Sequence, residues 1–118
     1  MKESQIQIAF FQWISHYPRL RKSCWATPNG GTRNAREAVN LKRQGVTPGV
    51  PDIMLAIPSH PYHGLFIEFK SENGKLTDSQ SKFIDRLTKD GYKCSICRCW
   101  TEARKAIQDY FPIPLLEV

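Results

Sequence analysis

Residues 49–70 read GVPDIMLAIPSHPYHGLFIEFK, and they decide how the rest of the chain is read. Two apolar runs of strand character flank the turn-rich connection PSHPYH, the pattern of a β-hairpin. Both runs carry charge where a buried strand avoids it. Asp52 opens the first, and Glu68 and Lys70 sit in the second among Leu65, Phe66, Ile67 and Phe69. Ionised groups in such surroundings are expensive unless they are paired or hold a metal ion. Side chains alternate along a strand, so Glu68 and Lys70 leave one face while Leu65, Ile67 and Phe69 take the other. One face can build core and the other can carry chemistry.

An antiparallel neighbour can bring Asp52 close to Glu68. Two adjacent carboxylates repel each other, and a divalent cation removes that repulsion while engaging their oxygens. Oxygen donors favour Mg²⁺ or Mn²⁺ over zinc. An ammonium at Lys70 beside such a centre can orient water and stabilise charge developing on a phosphate. Asp52 with Glu68 and Lys70 therefore suits metal-assisted phosphodiester hydrolysis. The tripeptide E-x-K alone suits a plain surface pair on an exposed sheet face better, since such strand pairs are common.

Outward from the hairpin, the patterns alternate between helix and strand. Ile6, Phe10, Trp13, Ile14 and Tyr17 recur at helical spacing from Glu3 to Tyr17, and Pro18 stops that helix. CWATP reads as a short strand entering the NGGTRN loop, and NAREAVNLKRQG reads as a helix ending at Gly45. After the hairpin, Thr77 and Gln80 form a capping box that opens a helix with Phe83, Ile84 and Leu87 inward and Gly91 at its end. YKCSICRCW is the next strand, and a last helix runs from about Thr101 to Tyr110 with Ala103, Ala106, Ile107 and Tyr110 inward. The order α, β, α, β, β, α, β, α predicts an α/β fold with a mixed central sheet flanked by helices.

The chain's 118 residues fit one domain, 1–118, with a single core. A hydrophobic fraction of 41% with 24% charged residues excludes a disordered or fibrous chain. No apolar run approaches the roughly 18 residues of a membrane span, and the N-terminus lacks a secretory h-region. An intracellular location is expected, the cytoplasm of a bacterial or phage-infected cell. Net charge is +6, and Arg19–Arg43 holds all of that excess, with seven Lys or Arg against Glu37 alone. A local basic block suggests an anionic partner, nucleic acid first, although a solvated face has the same composition. Cys94 and Cys97 fall on opposite faces of an alternating strand, so reduced cysteines suit the pattern better than a zinc site with Cys24 and Cys99. His60 and His63 lie in the hairpin loop and read as solvated.

GVPD followed after fifteen residues by EFK resembles the PD-(D/E)xK nuclease superfamily. The longer pattern resembles its virus-type replication-repair nuclease (VRR-NUC) branch: ESQIQ, PNGG, GVTPGVPDIM, IEFK, NGKLTDSQ and DGYKCSIC occur in that family's order. The resemblance implies a restriction-endonuclease-like core. It makes Asp52, Glu68, the Phe69 backbone carbonyl and Glu3 metal ligands, and Lys70 the catalytic lysine. It assigns Gln80 to positioning the lysine or the phosphate. Glu3 is also the acid that a helix N-terminus favours, although its E-x-x-I-Q spacing fits the site better, and Gln80 is equally the cap partner of Thr77. Phe83 stands where the family often has tyrosine, a change of packing.

The implied activity is a Mg²⁺-dependent DNA endonuclease, Mn²⁺ substituting, that leaves 5′-phosphate and 3′-hydroxyl ends. Arg33, Arg36, Lys42 and Arg43 would hold the DNA backbone without reading sequence. A homodimer acting on four-way (Holliday) junctions or other branched DNA is expected, with FPIPLL at 111–116 in the dimer contact or capping the core. A helicase or replication partner is conceivable and nothing in the sequence names one. The alternative is a catalytically silent nuclease-fold module that grips DNA or recruits a partner.

Overall fold

The structure, a computed structural model, describes residues 1–28 and 34–112. Helix α1, Glu3–Ile14, buries Ile6, Phe10 and Ile14, a single stripe at four-residue spacing. The chain leaves α1 before Pro18, as the sequence predicts, but Pro18 also begins a second short helix, α2, Pro18–Lys22. Proline suits a first helical position because its missing N–H has no partner to lose there. Buried Leu20 anchors this turn of helix, and strand β1, Cys24–Ala26, follows directly.

Strands β1, β2 (Ile53–Leu55), β3 (Leu65–Phe69) and β4 (Lys93–Cys97) lie side by side in chain order. The first three run antiparallel to their neighbours, and β4 runs parallel to β3. A parallel partner needs a crossover, which helix α4, Asp78–Lys89, supplies. The mixed sheet and the hairpin therefore match the sequence reading. In the hairpin loop, Ser59 and Tyr62 exchange backbone hydrogen bonds.

Every residue of β3 is buried. Leu65, Ile67 and Phe69 join the core, where the Phe69 ring centroid lies 5.8 Å from that of Phe10 on α1. Helix α5, Trp100–Tyr110, adds Ala103 and Ile107 to the same core. Two hydrogen bonds lock its end to the hairpin loop. The Tyr110 hydroxyl donates to the Ile57 carbonyl at 2.6 Å, and the Ser59 hydroxyl donates to the Tyr110 carbonyl at 2.7 Å.

Helix α3, Ala35–Arg43, behaves differently. The Asn34 side chain caps it by accepting the Glu37 N–H at 2.8 Å, yet none of its residues is buried. Helix α4 also lacks fully buried residues, but its stripe of Phe83, Ile84 and Leu87 is half-buried. Its first turn is pressed against the GVPD segment at Gly49. There φ is +89°, and a Cβ would lie 2.5 Å from the Ser79 carbonyl oxygen, so only glycine permits the approach.

Candidate active site

The start of β2, the end of β3 and the start of α4 meet at one end of the sheet. Ile53 pairs with Ile67, and the next step of that register sets Asp52 across from Glu68. The Asp52 carboxylate reaches past this position, and its Oδ2 accepts the Phe69 backbone N–H at 2.7 Å. Phe69 thus ends β3 with its ring in the core and its backbone at the acidic pair.

Glu68 is only 2% exposed, and Lys70 6%. Their charges approach at 3.8 Å between Lys70 Nζ and Glu68 Oε2, so this is a buried pair and not the surface pair that E-x-K alone allows. Burial, and after it the nearby Asp52 carboxylate, pushes the Glu68 carboxyl up to about 8. The Lys70 ammonium and a backbone hydrogen bond from Asp52 pull the other way, and Glu3 adds a further upward push. The net direction means that burial and the neighbouring carboxylates outweigh the Lys70 ammonium. Glu68 Oε1 has no hydrogen-bond partner among the described residues, although it is buried. A buried carboxylate oxygen in that condition is costly without a ligand.

Gln80 is the cap partner of Thr77 that the sequence allows, and it also reaches Glu68. Its Oε1 accepts the Thr77 N–H at 2.9 Å while Thr77 Oγ1 accepts the Gln80 N–H at 3.2 Å, completing the capping box. Its Nε2 donates to Glu68 Oε2 at 3.1 Å. Glutamate could cap this helix equally well, but it has no N–H to offer Glu68. The start of α4 is therefore hydrogen-bonded to the acidic pair.

Glu3 opens α1 at the rim, and its Oε2 lies 3.5 Å from the Ser71 backbone N–H. It lines a cleft of about 720 Å³ together with Asp52, Glu68 and Gln80. Among the described residues no three His, Cys, Asp or Glu side chains form a group able to hold a metal ion. The close acidic pair is Asp52 and Glu68, with Glu3 turned towards Ser71. Two carboxylates still fit Mg²⁺, which is commonly held by one or two of them and completes its shell with waters.

The basic residues divide between two places. Arg36, Lys42 and Arg43 are exposed on α3, which contributes none of the cleft's lining among the described residues. Arg33 and most of the FPIPLL segment, residues 113–116, lie outside the described residues. The cation that does line the cleft is Arg21, which the sequence reading counts in the basic block without singling it out. It stacks over the Phe11 ring at 4.9 Å and donates to the Cys24 carbonyl at 2.8 Å. No helix among the described residues is long and apolar enough to cross a membrane.

The mixed sheet with flanking helices, and the acidic pair beside a lysine at its end, define a nuclease fold of the PD-(D/E)xK type. The family model of the VRR-NUC domain matches residues 1–100, which hold all four strands and every candidate residue above. The chain belongs to the VRR-NUC domain family. A solved structure described as a VRR_NUC domain protein is similar to it over 93% of this chain and 88% of that one, with 29% identity and a TM-score of 0.81. A comparison with curated proteins gives no match.

Proposed function

We propose that this chain is a Mg²⁺-dependent DNA endonuclease, with Mn²⁺ able to substitute, that cuts four-way or other branched DNA as a homodimer. The observation that carries the reading is the buried carboxylate of Glu68, whose Oε1 has no hydrogen-bond partner among the described residues beside the Asp52 carboxylate. Asp52, Glu68, the Phe69 carbonyl and Glu3, directly or through water, would hold the cation. When bound, such a cation supplies Lewis-acid stabilisation of the scissile phosphate and raises the acidity of water there.

The chain's own groups do the rest. Gln80 holds Oε2 of Glu68 and leaves Oε1 for a ligand. Lys70 donates a hydrogen bond that orients the attacking water and offsets charge growing on the phosphate oxygens. The water oxygen bonds to phosphorus as the bond to the 3′ oxygen breaks, giving 5′-phosphate and 3′-hydroxyl ends. Arg36, Lys42 and Arg43 hold DNA phosphates outside the cleft, and Arg33 is assigned to the same backbone contacts from the sequence. One site makes one cut, and a two-fold pair presents two sites to the matching symmetry of a four-way junction.

Nicking of supercoiled plasmid with Mg²⁺, and none with EDTA, tests the activity. A panel of junction, flap and linear substrates with sedimentation at micromolar concentration tests the rest. Retention of DNA with no cutting under any divalent cation would make the chain a silent binding module. A monomer that cuts linear duplex as fast as junctions would overturn the substrate and assembly.

A further inference from the structure

The chain turns sharply after Lys70. Residues 71–74 form a tight turn closed by the Gly74 N–H donating to the Ser71 carbonyl at 3.0 Å. The guanidinium of Arg98 holds this turn from outside. Its Nη1 lies 2.7 Å from the Ser71 carbonyl oxygen, 2.8 Å from that of Gly74 and 3.2 Å from that of Glu72.

Arg98 is itself fixed at two points. It follows Cys97, the last residue of β4, whose carbonyl accepts the Lys70 N–H at 3.0 Å. Its own N–H donates to Glu102 Oε1 in the first turn of α5 at 2.7 Å. The turn it holds joins two parts of the site: Lys70 enters it from β3, and the Ser71 N–H faces Glu3. The three carbonyls converge on one nitrogen, whose two N–H groups they share, and a lysine nitrogen stops one bond nearer the backbone.

We infer that Arg98 is a positioning residue. By holding the carbonyls of Ser71, Glu72 and Gly74 it sets Lys70 against Glu68 and the Ser71 amide against Glu3. The inference rests on the nuclease reading above, and its mechanical half can be measured without cutting. Arg98 is exposed, so the competing role is a direct contact to a DNA phosphate. The two roles separate cleanly. A phosphate contact needs charge alone and acts on binding, whereas a positioning role needs the full reach of the arginine side chain to the three carbonyls and acts on turnover.

Two measurements on Arg98→Ala and Arg98→Lys decide it. Hydrogen exchange of the free protein should show the Gly74 amide, and its neighbours in the turn, exchanging faster in both variants, with β3 and β4 amides unchanged. On a cleavable substrate, kcat should fall roughly 10–100-fold, the range seen when an outer residue that orients a site is lost. KM and its salt dependence should hold, and lysine should restore only part of kcat. Unchanged exchange in the turn would overturn the inference, as would full rescue by lysine or a loss confined to KM. If Arg98→Ala does not fold, Arg98→Lys carries both measurements. Failure of the unaltered protein to cut DNA counts against the nuclease reading, while unchanged exchange counts against Arg98 alone.

Discussion

Strand β3 is buried along its whole length, while helix α3 buries none of its residues. Strand β3 and the residue after it bury charge, at Glu68 and Lys70. Helix α3 exposes apolar surface, with Val39 58% accessible and no residue buried. Buried charge is an informative departure from ordinary burial, whereas a single exposed apolar side chain is ordinary surface. At β3 the buried Glu68 Oε1 lacks a hydrogen-bond partner among the described residues, a cost that stability alone does not explain. The difference is one of support. Around β3, Gln80 and Lys70 reach the Glu68 carboxylate, and Asp52 ties down the Phe69 amide beside it. Around α3, the described anchors are an Asn34 cap and the backbone bonds that close its C-terminal end at Gln44–Val46.

The largest expected effect is at the supported end. Asp52→Asn should reduce cleavage to background in plasmid nicking. It should leave melting temperature equal or higher, because one of two repelling carboxylates is gone while an amide oxygen can still accept the Phe69 N–H. Substantial cleavage by this variant would remove the acidic pair from the mechanism and leave β3's buried charge unexplained. Lys70→Ala should come next, with turnover down by about 10²–10³ and DNA affinity unchanged. Affinity falling in step with turnover would make Lys70 a phosphate anchor.

The same buried carboxyl predicts a pH dependence in the metal-free protein. The folded Glu68 carboxyl is raised to about 8 from an ordinary 4.5, so between those values the folded state keeps a proton that the unfolded chain has lost. Stability then falls as pH rises across that window. Below about 4.5 both states are protonated and there is no penalty; above about 8 both are ionised and the penalty is complete. The total is on the order of a few kcal/mol. Glu68→Gln should flatten the slope in chemical denaturation between pH 5 and about 8. An unchanged slope would mean that other groups carry it.

Much of the β3 region was legible in the sequence because its signals are local. Period-two alternation placed Glu68 and Lys70 on one face, and the Thr77–Gln80 spacing announced a capping box. What stayed hidden depends on close approach between distant segments. The contact of Gln80 with Glu68 requires Gly49 to admit the first turn of α4, and nothing near Gln80 in the chain says so. Arg98 sits inside a strand-like run and acts on carbonyls 24 to 27 residues earlier. Pro18 is ambiguous for a different reason, since proline both stops one helix and suits the first position of the next. For α3, the sequence showed a basic helix but not that it stands away from the cleft, because composition carries no position.

That placement makes the basic residues of α3 testable apart from the site. Replacing Arg36, Lys42 and Arg43 together should weaken binding to every DNA alike and leave the kcat of bound substrate intact. The slope of log affinity against log salt should shrink by about 0.9 for each duplex phosphate that is no longer neutralised. An unchanged slope would return α3 to a solvated face and leave Arg21 as the cation to test in the cleft.

The smallest effect sharpens the comparison most. Val39 is an apolar residue in mid-helix with 58% of its surface in water, so replacing it removes little packing from the free protein. Alanine is the better helix former at an exposed position, because valine loses side-chain freedom against the preceding turn. Val39→Ala should therefore leave the free protein unchanged or more stable by a few tenths of a kcal/mol, within the range of ordinary surface substitutions. Thermal and urea melts over a range of protein concentrations would read this directly. A loss above about 1 kcal/mol would mean that Val39 is packed in solution, since deleting methyl groups is expensive only where they are buried. If that loss grew with protein concentration, the cover would be a second copy of the chain; if it did not, α3 would lie against its own core. In either case the contrast with β3 would narrow, because α3 would then be supported by packing as β3 is.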